Sequence, residues 1–90
     1  MSQQSDQDKL LRVEVLSLGK GGSELEQVEQ LQVQLEDGSW LGIHPGHAAT
    51  IAATGDGLLK YRKDEQDQTV AVKAGILTLS DNLVSILTTH

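Results

Sequence analysis

The chain has 90 residues, enough for one domain, and its core must be aliphatic because it has one Trp, one Tyr and no Phe. Thirteen acidic against seven basic residues give a formal net charge of −6, which argues against nucleic acid partners and direct lipid binding. Without cysteine, disulfides and thiolate chemistry are excluded, and no apolar run approaches the ~20 residues of a membrane-spanning helix.

The first nine residues are polar and contain no apolar stretch of the kind found in signal peptides. We therefore expect residues 1–9 to be a disordered, solvated tail, and residues 10–90 to form one domain.

Short segments with period-two alternation follow along the rest of the chain. In the first, Leu11, Val13 and Val15 share one face, with polar residues opposite. Similar alternation predicts strands around residues 30–35, 59–62 and 70–74, and β-branched residues indicate a last strand over residues 83–89. The intervening turn signals are Gly19–Gly22, Asp37-Gly38, Pro45-Gly46, Gly55-Asp56-Gly57, the polar run 64–68 and Ser80-Asp81-Asn82. This pattern predicts an all-β fold, an antiparallel sandwich or barrel.

One segment fits two interpretations. Ser23 followed three residues later by Glu26 has the form of a helix capping box, and Leu25, Val28, Leu31 and Leu35 then follow at helical spacing. The alternation of Leu31, Val33 and Leu35 instead favours a strand in the second half. Residues 24–30 remain open between helix and strand on sequence alone.

The segment Gly42 to His47 contains two histidines three residues apart, which suggests a metal site. The Pro-Gly between them provides no helical face to align the two rings, and no third ligand is evident, so a packing or interface role is favoured over a small metalloenzyme. No Gly-x-Ser-x-Gly elbow or phosphate-loop motif occurs, and the sequence predicts neither a catalytic residue nor a cofactor.

Trp40 follows Asp37-Gly38-Ser39 directly, so we expect it at a loop tip. There it would act either as a lid over the core or as an exposed anchor for a partner, since large aromatic residues are common among interface hot spots.

The stretch Asp37-Gly38-Ser39-Trp40-Leu41-Gly42-Ile43-His44-Pro45-Gly46-His47-Ala48 resembles the G-x-x-G-I-x-P-G-H-A motif of the F-type ATP synthase epsilon subunit, called delta in mitochondria. Further similarities lie in the same order along the chain, at Leu11–Ser17, Gly57–Leu59, Lys73–Leu79 and Asp81–Leu87. The resemblance covers about Leu10 to Thr89 and implies the family's N-terminal domain, a flattened β-sandwich of about ten short strands.

The resemblance also implies a function. Members of this family are non-catalytic subunits of the central stalk of a rotary ATP synthase, and they couple the membrane c-subunit ring to the gamma shaft. The implied location is peripheral, on the cytoplasmic side of the inner (or thylakoid) membrane. The alternative is a stand-alone β-sandwich adaptor that has this fold but binds another protein.

Two sets of contact residues are carried over from the family's motif. The residues matching the loop that faces the c-ring are Asp37, Gly38, Ser39, Trp40 and Leu41. Those matching positions that face gamma are Ser17, His47, Ala48, Ala49, Ile51 and Ala52. Gly42, Gly46 and Gly75 are expected to meet backbone requirements rather than to contact a partner.

Typical family members continue into a C-terminal helical hairpin, whereas this sequence ends directly after the last expected strand. We therefore expect this chain not to bind ATP through that hairpin, which a calorimetric titration with ATP would test.

Overall fold

The computed structural model describes residues 10–17 and 21–88, so the tail predicted over residues 1–9 lies outside the described residues. These residues form eight β-strands and no helix, close to the roughly ten strands expected. The strands are β1 (Leu11–Ser17), β2 (Gly21–Val28), β3 (Gln30–Leu35), β4 (Trp40–Ile43), β5 (Thr50–Lys63), β6 (Gln66–Val72), β7 (Gly75–Ser80) and β8 (Leu83–Thr88).

The strands form one hydrogen-bonded network in the order β2-β1-β8-β7-β5-β3-β4, with β6 also paired to β5. All pairs are antiparallel except β1 with β8. The long strand β5 belongs to both layers of the sandwich, because residues 50–54 pair with β7 and residues 57–63 pair with β6. The predicted all-β sandwich is confirmed.

The core lies between the two layers and is aliphatic, as the composition requires. One layer contributes Leu11, Val13, Val28, Leu77, Leu79, Val84 and Ile86, and the other contributes Leu31, Val33, Ile43 and Leu59, all buried. Burying a side chain of this size stabilises the fold by roughly 1.5–3 kcal/mol before entropic costs. These are the inward positions of the alternating segments, so the predicted faces of β1 and β3 are confirmed.

The prediction of a turn at Gly55-Asp56-Gly57 is wrong, since these residues lie inside β5. The chain passes from one layer to the other here, and the backbones approach closely. A Cβ on Gly55 would lie 3.0 Å from the carbonyl oxygen of Leu35, and one on Gly57 would collide with the Gln34 side chain. A glycine inside a strand often marks such a close approach. One long strand in place of two short ones lowers the strand count.

The open segment 24–30 is extended: β2 runs to Val28 and β3 starts at Gln30. Between Leu11 and Val13 the pairing of β1 with β2 shifts register, so that Glu26 and Gln27 lie opposite Arg12 alone. Gln27 has φ 60° at this β-bulge. Pairing with β1 and burial of Val28 outweigh the local preference of a capping box.

The tight turns are mostly where the sequence predicts them. Asp37-Gly38 joins β3 to β4 and Asp81-Asn82 joins β7 to β8. The sequence predicts a turn over the polar run 64–68, but only Asp64 and Glu65 form it, both with φ near 60°. Strand β6 already begins at Gln66.

Candidate docking surfaces

The outer face of the β1-β8-β7-β5 layer carries a continuous apolar row. Leu16 is level with Leu87, Leu87 with Ile76, and Ile76 with Ala53, so the row crosses four neighbouring strands. The exposed fractions of the three large side chains are 43% for Leu16, 47% for Leu87 and 48% for Ile76. We call these four residues the apolar row.

The next row along the same face is less apolar. It consists of Glu14, Ser85, Thr78 and Ile51, again level with one another across the four strands. Ile51 is 79% exposed, which for an isoleucine is a large unburied area. The side chains of these two rows are therefore small, hydroxylated or apolar, with one carboxylate.

The outer face of the other layer is different. Gln30 and Gln32 of β3 lie beside Arg62 and Lys60 of β5, and Gln34 lies beside Trp40 of β4. Arg62 bridges Glu29 at 3.3 Å and Asp67 at 3.4 Å. Trp40 and Leu58 are the large apolar side chains exposed there. Contiguous apolar surface marks interaction sites more often than scattered apolar residues do. The apolar row therefore makes the first layer the better docking surface.

The residues predicted to face the c-ring form the turn between β3 and β4 and the beginning of β4. Leu35 N–H donates to Ser39 O at 2.7 Å, and Gly38, at φ 91°, donates to Leu35 O at 2.9 Å. Asp37 Oδ1 accepts from the Ser39 hydroxyl at 2.6 Å and from the Ser39 N–H at 2.9 Å. These hydrogen bonds, the hydroxyl's first, lower the pKa of Asp37 below its ordinary value.

Trp40 begins β4 rather than lying at a loop tip, which corrects its predicted position, and Leu41 follows it in the same strand. Leu41 is partly buried and packs against the core, so its side chain points away from the surface. Trp40 is 44% exposed, with Lys60 Nζ 4.7 Å from its ring centroid, a cation–π contact. The Trp40 ring therefore is not a core lid.

The residues predicted to face gamma are spread over the first layer and the loop between β4 and β5. Ile51 and Ala49 are exposed, and Ile51 lies on the outer face beside the apolar row. Ala48 is also exposed, while Ala52 is half-buried and alternates with Ile51. Ser17 ends β1 level with Thr88.

His47 lies at the opposite end of β1 from Ser17. It lines a groove of about 560 Å³ with Leu10, Arg12, Gly46, Ala49, Ser80, Asp81 and Asn82. The Asn82 side chain accepts from Gly46 N–H at 2.8 Å and so holds the β4–β5 loop against the β7–β8 turn. The structure thus brings His47 near Ala49 but not near Ser17.

The two histidines have separate surroundings. His44 Nε2 lies 3.1 Å from Gln30 Oε1, whereas His47 Nδ1 donates to Ala48 O at 2.8 Å. Within residues 10–17 and 21–88, no three His, Asp or Glu side chains are grouped to hold a metal ion. In the same ranges no helix is long and apolar enough to cross a membrane.

Residues 11–90 match the family model described as ATP synthase, Delta/Epsilon chain, beta-sandwich domain. The chain belongs to this family. The delta/epsilon-type chain is 41% identical to the ATP synthase epsilon chain of Leptospira borgpetersenii serovar Hardjo-bovis over 64 residues, which are 71% of this chain and 50% of the relative. It is 38% identical to that of Bacillus subtilis (strain 168) over 60 residues, covering 67% and 45%. The chain therefore spans about half the length of these relatives.

Solved structures share the fold of this delta/epsilon-type chain. It aligns with a chain in the Euglena gracilis mitochondrial ATP synthase, OSCP/F1/c-ring, with a TM-score of 0.76 and 17% identity, over 90% of this chain and 51% of that one. It aligns with a chain in the Tetrahymena thermophila mitochondrial ATP synthase central stalk/c-ring with a TM-score of 0.69 and 14% identity, covering 89% and 63%. At such identities the likeness shows the fold alone.

Sequence reasoning missed the apolar row. Its signal was present, because Leu16 follows Arg12 and Glu14 on the polar side of β1 and Leu87 follows Ser85 in β8. An apolar residue on a polar face is visible in each strand separately. Only the register between strands shows that these residues lie side by side.

Proposed function

We propose that this chain is a non-catalytic, epsilon-type subunit of the central stalk of a rotary F-type ATP synthase. In this role it binds the gamma subunit on one surface and the c-subunit ring on another, peripheral to the membrane on its cytoplasmic side. Family membership over residues 11–90 supports the proposal, and so do relatives named as epsilon chains. The observation that carries it is the apolar row, whose exposed side chains lie level with one another across four neighbouring strands.

The apolar row is the proposed surface for gamma. Leu16, Ile76 and Leu87 are about half exposed, so a partner that covers them removes the remaining apolar area from water. At the usual free energy per buried area, each half-exposed side chain contributes roughly 1 kcal/mol to binding. Two of them contribute about 2 kcal/mol, close to a thirtyfold change in affinity.

The β3–β4 turn is the proposed surface for the c-ring. Its backbone hydrogen bonds and the Asp37–Ser39 contacts hold the turn in one shape. A pre-ordered turn loses little conformational entropy when it docks, which favours a firm contact from a small area. Asp37 and Glu36 give the turn a negative charge, so a ring loop with basic side chains would suit it.

The test of the gamma surface is a binding titration with the purified gamma subunit of the same organism. The double variant Leu87→Ser, Ile76→Ser should bind about thirtyfold more weakly than wild type. The matched control is Leu58→Ser, a side chain 45% exposed on the opposite layer, which should bind like wild type.

Two results would separate the alternatives, and one control is needed. If Leu58→Ser lost as much affinity for gamma as the double variant, the contact with gamma would not lie on the apolar row. Absence of any gamma binding by the wild-type chain would refute the stalk function and favour a stand-alone adaptor. Urea denaturation of each variant keeps a folding defect from being mistaken for a binding defect, since Leu87 and Leu58 have similar exposure.

A further inference from the structure

Glu14 stands out on the docking face because of its charge. It lies in the middle of β1, one pleat from Leu16 in the apolar row, with Ser85 and Thr78 in the same cross-strand row. Its side chain is partly buried, and its Oε2 accepts a hydrogen bond from the Ser85 hydroxyl at 2.7 Å. The hydrogen bond from Ser85 therefore holds the carboxylate in place beside the apolar row.

Arg12, the nearest basic residue in β1, forms ion pairs with other carboxylates. The Arg12 guanidinium lies 3.1 Å from Glu24 and 4.0 Å from Glu26 on β2. Among the residues that the structure describes, no Lys, Arg or His forms an ion pair with Glu14. Ser85 is a neutral donor, so the charge of Glu14 is oriented but not neutralised.

Glu14 also faces a like charge. In the β1–β2 pairing Glu14 is directly opposite Glu24, so both side chains lie on the same face of adjacent strands. Like charges opposite each other in a sheet destabilise the pair. Arg12 relieves this repulsion from the side of Glu24 only.

We propose that Glu14 is the specificity-determining charge of this face and that it pairs with a Lys or Arg of the protein that covers the apolar row. The inference rests on the proposed function, because the partner is the gamma subunit. Once the apolar row is covered, an unpaired carboxylate beside it would lose water without compensation. A partner with a basic side chain at that point is accepted, and one with an apolar or acidic side chain is rejected.

The experiment measures the dissociation constant for purified gamma subunit, at low and at high salt, with wild type, Glu14→Gln and Glu26→Gln. Glu14→Gln keeps the shape and an acceptor for Ser85 but removes the charge. It should weaken binding at least tenfold at low salt and reduce the salt dependence, because loss of one partner of a covered ion pair is costly. Glu26→Gln, at the rim, should change affinity by less than about twofold.

Thermal unfolding of the free chain separates docking from folding. Glu14→Gln should leave the Tm unchanged or raise it, since it removes the repulsion with Glu24. Glu14→Gln that binds gamma as tightly as wild type, or that lowers the Tm, overturns the inference while leaving the stalk function intact. If the wild-type chain itself fails to bind gamma, both the inference about Glu14 and the proposed stalk function are refuted.

Discussion

Gly75 tests the packing of the layer that carries the docking face. An added Cβ at Gly75 would lie 2.8 Å from the carbonyl carbon of Leu87, closer still to its oxygen, and 3.0 Å from Thr88 Cα. All three are backbone atoms, so no side-chain rotation relieves the clash, and β7 must move away from β8. Gly42, by contrast, would place its Cβ with no atom within 4 Å, which corrects the expectation that Gly42 is a backbone necessity.

Overpacking of this kind costs typically 1–3 kcal/mol, and strain on the two hydrogen bonds between Thr54 Oγ1 and the Gly75 backbone adds to it. We expect Gly75→Ala to lower the free energy of unfolding by about 3 kcal/mol, or the Tm by roughly 12–24 °C for a domain of this size. Gly42→Ala should be neutral or stabilising by up to about 1 kcal/mol, because alanine restricts the unfolded chain.

Urea denaturation followed by far-ultraviolet circular dichroism measures both variants. The midpoint should fall at unchanged slope for Gly75→Ala only. A loss below about 1 kcal/mol at Gly75, or equal effects at the two glycines, would refute the close approach of β7 to β8.

Three further predictions concern single side chains. Thr54→Val should lower the free energy of unfolding by about 1–3 kcal/mol in urea titrations, because it removes both buried hydrogen bonds to β7, whereas exposed Thr78→Val should change it by less than about 0.5 kcal/mol. Ser39→Ala should raise the pKa of Asp37 toward 3.8, measured in a carboxyl NMR titration. In the wild type, the stabilising contribution of Asp37 is present above that pH and is lost as the pH falls below it. An unchanged pKa would contradict the hydrogen-bond assignment. Trp40→Ala should cost about 1 kcal/mol in thermal unfolding, since the ring is 44% exposed, and a loss of 3–5 kcal/mol would place it in the core.

The sequence predicts the strands best where one face is buried. In β1 and β3 the buried residues alternate with exposed or partly exposed ones, so period-two alternation is enough to identify them. At Gly55–Gly57 the sequence is ambiguous, because glycine is typical both of turns and of close backbone contacts. Only the position of Leu35 and Gln34 against these glycines decides between the two.

The two candidate surfaces also differ in how far the sequence predicts them. The β3–β4 turn is local in sequence, and its Asp-Gly pair and following Ser are sufficient to predict a tight, hydrogen-bonded turn. The apolar row depends on the pairing of β1 with β8, which are about 70 residues apart and joined in parallel. No local pattern encodes that register, so Leu16, Ile76 and Leu87 could not be placed together from sequence.

The two proposed contact surfaces are joined by a short and stiff path. Ala53, in the apolar row, accepts through its carbonyl oxygen a hydrogen bond from Glu36 N–H at 3.1 Å, and Glu36 begins the β3–β4 turn. Thr54, which follows Ala53 in β5, accepts a hydrogen bond from the Gly75 N–H on one side and pairs with Leu35 on the other. Strand β5 then continues into the second layer without a break. A force applied to the apolar row therefore reaches the turn through backbone hydrogen bonds and one continuous strand, which is the mechanical property that a coupling subunit needs.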